Sequence, residues 1–219
     1  MNEKILVVFV VIIFLVFALC MYQSKSSIYS PVDQNKYYVL DKYNNQQAAA
    51  DLIAKVNKNF MSFLRHLKQK YGVDQTVEER YGSSSLHLTD KYKIVESVLK
   101  NYNPETIYEN DPINLKNDTS YTVQKGEAIY LCVRNKDDPN KLVDYNTLMF
   151  VVLHEVGGHI GNYNGWGHDM RFWSVFKFML QEAVAFGIYA PVDYSANPVV
   201  YCGLTINYQP MFDDQVPDV

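Results

Sequence analysis

Apolar positions recur at three- and four-residue steps between Gln46 and Tyr71, at Ala49, Leu52, Ile53, Val56, Phe60, Phe63, Leu64 and Leu67. That spacing lays one apolar stripe along a helix. Lys55, Lys58 and Arg65 fall on its solvated side, and Gly72 follows as a stop. A second stripe, Phe172, Trp173, Phe176, Met179, Leu180, Ala183 and Phe186, predicts a core helix from Met170 to about Ile188. Between them, Lys93 to Asn101 reads as a short helix that ends before Pro104. The tract Ala128 to Val133 (AIYLCV) reads as a buried strand, entered through a hairpin turn at Lys125-Gly126. Helical character resumes after Asn146, a candidate N-cap.

The N-terminal pattern differs. Ile5 to Met21 is a run of 17 apolar residues without a charge, followed by Tyr22. Such a run predicts an uncleaved membrane-spanning helix, with the lipid bilayer contacted through residues 5–22. Residues 23–44 are polar and lack an apolar period, which predicts a tether or extended arm. The expected organisation is therefore an anchor over 1–22, a tether over 23–44 and one domain over 45–219. The expected location is a membrane, crossed once, with orientation open.

Composition adds exclusions. A length of 219 residues suits one domain with an appendage. The formal net charge of −4 implies no broad basic surface, so no nucleic-acid partner is expected. Cys20 falls in the apolar run, leaving Cys132 and Cys202, which no spacing rule pairs.

The chemistry concentrates in one window. Of five histidines, His154, His159 and His168 lie within fifteen residues, and Glu155 follows the first. Two imidazoles one helical turn apart can share a tetrahedral Zn²⁺, and an adjacent carboxylate can polarise a water on the metal. The usual spacing of the pair is i and i+4. Here it is i and i+5, which on an ideal α-helix would separate the rings by about 140°. A widened π-type turn returns them to one face, and Gly157 and Gly158 leave it unobstructed, so such a turn is expected at 155–159. A third ligand is expected at His168, across a glycine-containing loop. Glu182 is a second candidate ligand, and Asp169 is either a ligand or the N-cap of the next helix. His66 reads as structural, and His87 has no local partner.

The segment LHEVGGHIGNYNGWGHDMRFW resembles the WLM-type and SprT-like zinc metallopeptidases, including their His-x-x-x-Phe element at His168 to Phe172. A wider stretch, roughly residues 80–213, is similar to the WLM-like metallopeptidases of nucleocytoplasmic large DNA viruses. The family pattern has one residue fewer between the first two histidines. The dipeptidyl-peptidase III family has the longer spacing, a precedent for metal binding rather than a kinship.

The resemblance implies an α+β zincin-like domain with an active-site helix, a small sheet with an edge strand, and a C-terminal helix. It implies Zn²⁺ on His154, His159 and His168, with Glu155 as general base. The expected function is a membrane-anchored zinc-dependent metallopeptidase that hydrolyses peptide or protein substrates. The alternative is a non-catalytic virion or membrane protein with a structural zinc site. Within the zincin reading, Ala128 to Val133 is the candidate edge strand, and Tyr201 and Tyr208 are candidate oxyanion donors.

Overall fold

The tract Lys36–Leu40 (KYYVL) buries Tyr37, Val39 and Leu40 and exposes Lys36 and Tyr38, the alternation of a strand with one face on a core. It belongs to a five-stranded sheet in a computed structural model that describes residues 25–72, 86–113, 119–165 and 167–219, together with Phe9, Ile12 and Ile13. The strands are β1 (Lys25–Tyr29), β2 (Lys36–Leu40), β3 (Ile107–Glu109), β4 (Tyr121–Val123) and β5 (Ala128–Leu131), in the order β1-β2-β3-β5-β4. The outer pairs β1–β2 and β4–β5 are antiparallel, and β2–β3 and β3–β5 are parallel.

Within the stretch expected as a tether, Lys25 to Leu40 forms a hairpin that fills one side of the sheet. Its apolar positions are too few and too closely spaced to show a period, and β2 finds its burial only against distant partners. A β2–β3 pairing at Tyr38 and Tyr108 spans 70 positions of sequence.

Helix α1 (Gln46–Tyr71) matches its expected bounds and buries its stripe against β2 and α2 (Leu86–Asn101). Ile94, Val95 and Val98 of α2 join Phe60, Phe63 and Leu67 of α1 in the core. His66 stacks on Phe186 at 4.9 Å, the structural role expected of it. His87 lies on α2, and its side chain falls outside the described residues.

Helix α3 (Tyr145–Val152) begins at Asp144, whose carboxylate accepts the Thr147 N–H at 2.9 Å. Asn146, the expected cap, instead exchanges two hydrogen bonds with the backbone of Ala190. The chain continues through a π-helix, Leu153–Ile160, and helix α4 (Met170–Phe186) packs across it. A last hairpin, β6 (Val199–Tyr201) and β7 (Leu204–Ile206), is tied to the end of β5 by a Cys132–Cys202 disulfide.

The expected membrane span is overturned. Among the described residues no helix is long and apolar enough to cross a membrane. Of the run 5–22 only Phe9, Ile12 and Ile13 are described, so the rest of that span lies outside the described residues. The longest helix described, α1, has 26 residues but carries six charges, from Asp51 to Lys70. The fold class is α+β without the expected transmembrane helix, and the single-pass location loses its support with it.

Candidate metal centre

The chain enters the site from inside the core: Leu148, Met149, Phe150, Val151 and Val152 are all buried. The π-helix that follows covers Leu153–Ile160, as the five-residue histidine spacing predicts. The extra residue per turn brings His154 and His159 together, with ring centroids 5.0 Å apart.

The two glycines serve a second purpose that lies outside the helix. A Cβ on Gly157 would sit 2.9 Å from Met179 Cγ, and one on Gly158 would sit 2.5 Å from Phe172 Cε2. Both partners are buried residues of α4. Helix α4 can approach this closely only because the π-turn presents bare backbone. The Phe172 ring forms the floor of the site, with centroids 4.9, 4.6 and 4.6 Å from those of His154, His159 and His168. Gly158→Ala must displace that floor. It is expected to cost about 1–3 kcal/mol of stability and to weaken zinc binding, checked by thermal denaturation and zinc titration.

His168 arrives on the loop that joins the π-helix to α4. Gly167 has a φ of 68°, a left-handed conformation that favours glycine. Asp169 is the N-cap of α4: its Oδ1 accepts the Phe172 N–H at 2.7 Å. The loop is held from the β4–β5 turn. Lys125 Nζ donates to the carbonyls of Asn162 and Gly165 at 2.9 and 2.8 Å. Asn162 Nδ2 donates to Asp169 Oδ1 at 3.2 Å. Asp90 of α2 completes the fastening, accepting two bonds from Arg171 and one from Tyr163. That Arg171 guanidinium also holds the Asp90 carboxyl below its usual range.

The ligand atoms of His154, His159 and His168 all lie within 4.8 Å of one another, and the Nε2 atoms of His154 and His168 are 3.1 Å apart. Tetrahedral Zn–N bonds of about 2.0–2.1 Å place nitrogens about 3.4 Å apart, inside that range. Burial, reinforced by the other two imidazoles, pushes His154 down to about 3. Burial, then His168 and Lys125, push His159 down to about 4. Burial also lowers His168. All three are therefore neutral near pH 7, the form that binds a cation. Three neutral imidazoles fit a metal ion, and they match the three-ligand set that leaves one position open.

The same shifts give a pH dependence for metal-free protein. Unfolded imidazoles take up protons near pH 6.5, whereas His154 and His159 in the fold resist to about 3 and 4. The unfolded state binds more protons between those limits, so stability falls as pH drops. Denaturant unfolding in the presence of chelator is expected to show a lower midpoint at pH 5 than at pH 7.

Glu155 is buried yet lines the cleft above the histidines. Thr122 Oγ1 of β4 lies 3.1 Å from its Oε2 and 3.2 Å from its carbonyl oxygen. The cleft encloses about 430 Å³ and runs from Ser120, Tyr121 and Thr122 past the three imidazoles to Lys125 and Gly165.

Other candidates fall elsewhere. Glu182 accepts from Lys70 at both carboxylate oxygens and from the Tyr71 hydroxyl at one, which makes it a tie between α1 and α4 and not a ligand. Tyr201 is buried, with its hydroxyl 2.7 Å from the Cys132 carbonyl and 2.6 Å from Ser120 Oγ. Tyr208 donates to Asp213. Both hydroxyls are thus engaged by partners other than the histidines. Ala128–Leu131 does form a strand, but β5 lies between β3 and β4, so the edge strand beside the site is β4. Thr122, Lys125 and Phe172 carry roles that sequence alone did not single out, because each acts across a long-range contact. Only Phe172, four residues after His168, had a local signal.

No family model matches the chain. Uncharacterized protein R325 of Acanthamoeba polyphaga mimivirus is 27% identical over 209 residues, 94% of either chain. Uncharacterized protein 136R of Invertebrate iridescent virus 6 is 35% identical over 71 residues, 32% of this chain and 38% of that one. Uncharacterized protein 042R of Invertebrate iridescent virus 3 is 36% identical over 92 residues, 41% of this chain and 53% of that one. Among solved structures, that of Wss1 from Saccharomyces cerevisiae superposes with a TM-score of 0.41 at 17% identity, covering 67% of this chain and 85% of that chain.

Proposed function

We propose that the chain is a zinc-dependent metallopeptidase, folded as one unit from Lys25 to Val219. His154, His159 and His168 hold the ion and Glu155 is the general base. The observation that carries this reading is that three neutral imidazoles and a buried carboxylate open into one cleft beside an edge strand. A structural metal site has no use for that carboxylate.

Bound Zn²⁺ would supply Lewis acidity, which makes water more acidic and a carbonyl more electrophilic. The protein supplies the rest. β4 is the last strand of the sheet, and an extended peptide can pair with it by strand addition. That pairing lays the scissile bond across the cleft, between Thr122 and the imidazoles. Glu155 takes a proton from the attacking water at a carboxylate oxygen. It then returns the proton to the leaving amine nitrogen, with Thr122 Oγ1 steadying Oε2 throughout. Phe172 keeps the far side of the imidazoles dry.

The test pairs metal analysis with cleavage of an unfolded protein substrate. Wild type is expected to carry one zinc per chain and to cut the substrate, and chelation is expected to stop it. His168→Ala is expected to lose zinc affinity by at least tenfold. Full zinc occupancy and unchanged turnover in that variant would remove His168 from the ligand set.

A further inference from the structure

A second cavity, of about 280 Å³, adjoins the cleft at His154 and Glu155. Phe150 and Val151 of α3, Trp173 and Phe176 of α4, and Ile206 and Tyr208 of the C-terminal segment form its walls. Thr119, Ser120, His154, Glu155 and Leu204 line both spaces, so the two adjoin there. Glu155 and His154 are the only titratable side chains in the lining apart from tyrosines.

We propose that this cavity is a specificity pocket for one large apolar side chain, of the Phe, Leu or Met class, on a residue flanking the scissile bond. The proposal rests on the peptidase reading and adds a substrate class to it. Size argues for a side chain: the volume lies just below the about 300–1,000 Å³ of sites for whole small ligands. Position argues for a flanking residue. An extended peptide points successive side chains to opposite faces. With its backbone along β4 and its scissile carbonyl at His154 and Glu155, one flanking side chain meets the wall that the two spaces share.

Chemistry excludes the alternatives. An acidic or a basic side chain would lose its hydration against the aromatic walls. The pocket is also held in shape. The Cys132–Cys202 disulfide and the Tyr201 hydroxyl anchor the hairpin that carries Leu204 and Ile206. A preformed wall keeps the ordering cost of binding low.

Two measurements test this on zinc-loaded full-length protein. The first profiles cleavage of a peptide library by wild type and Ile206→Trp, a change that fills the cavity without touching the metal ligands or Glu155. Wild type is expected to prefer Phe, Leu or Met at one flanking position over Asp, Lys or Gly by about 10- to 100-fold in kcat/KM. Ile206→Trp is expected to lose that preference while keeping its zinc. The second measures binding of acyl hydroxamates bearing benzyl, methyl or carboxymethyl groups, and needs no turnover. Benzyl is expected to bind at least tenfold tighter than methyl, and Ile206→Trp to erase the difference. A flat hydroxamate series on zinc-loaded protein, or a preference that survives Ile206→Trp, overturns the pocket. Absent cleavage with an intact hydroxamate series overturns the peptidase reading and leaves the pocket standing. Failure to bind zinc overturns both.

Discussion

Glu155→Gln is expected to bind zinc as the wild type does and to hydrolyse peptides about 10³-fold more slowly, a loss of about 4 kcal/mol in transition-state stabilisation. The two side chains have nearly the same shape, so the π-helix and the cleft wall persist. Thr122 Oγ1 sits 3.1 Å from Oε2, and its hydroxyl can turn to accept from an amide as readily as it donates to a carboxylate. What the amide cannot do is take a proton. The measurement is kcat/KM on a cleavable peptide together with zinc stoichiometry and thermal midpoint for both proteins. Wild-type turnover in a zinc-loaded, folded variant would remove Glu155 from the chemistry. Loss of zinc would instead mark Glu155 as a support for the histidines.

That prediction draws on residues whose grouping was readable before any fold was known. His154, Glu155 and His159 lie on one continuous element, and the five-residue spacing itself demands the π-turn found at Leu153–Ile160. His168 follows after a loop short enough to fold back, and Asp169 caps the next helix as local chemistry suggests. Local patterns also place α1 and α4, because 26 and 17 residues are long enough to show a 3.6-residue period.

Legibility ends where pairing becomes non-local. β3 and β4 have three residues each, too few for an alternation to register. Nothing in AIYLCV says that β3 occupies one side of β5 and β4 the other, so the local pattern does not distinguish the inner strand from the edge. Asp144 and Asn146 were both chemically able to cap α3, and only the approach of the 188–190 segment decides that Asn146 bonds Ala190 instead. Lys125 belongs to a surface turn by sequence. Its role in holding the His168 loop exists only because two loops 37 and 40 positions apart converge. The apolar run 5–22 reads as a membrane helix by composition alone, yet no described helix is long and apolar enough to span a bilayer.

The double change Cys132→Ser/Cys202→Ser is expected to lower the thermal midpoint by about 10–15 °C. The bond closes a loop with a sequence separation of 70. In the chain-entropy account, a loop of that length stabilises by about 4 kcal/mol. For a chain of this size each kcal/mol moves the midpoint by about 2–4 °C. The effect is expected to be lopsided across the molecule. None of the three clustered histidines is on the hairpin, so zinc affinity is expected to stay within about threefold. Leu204 and Ile206 are on it, and they wall the apolar cavity. The Tyr201 hydroxyl remains bonded to the Cys132 carbonyl and Ser120, so the hairpin is loosened rather than released. Calorimetry of wild type with and without reductant supplies the control. Reduced wild type should match the double serine variant, which should itself ignore reductant. A midpoint within about 2 °C of oxidised wild type would mean that the hairpin is held by its hydrogen bonds and packing, with the covalent link adding little.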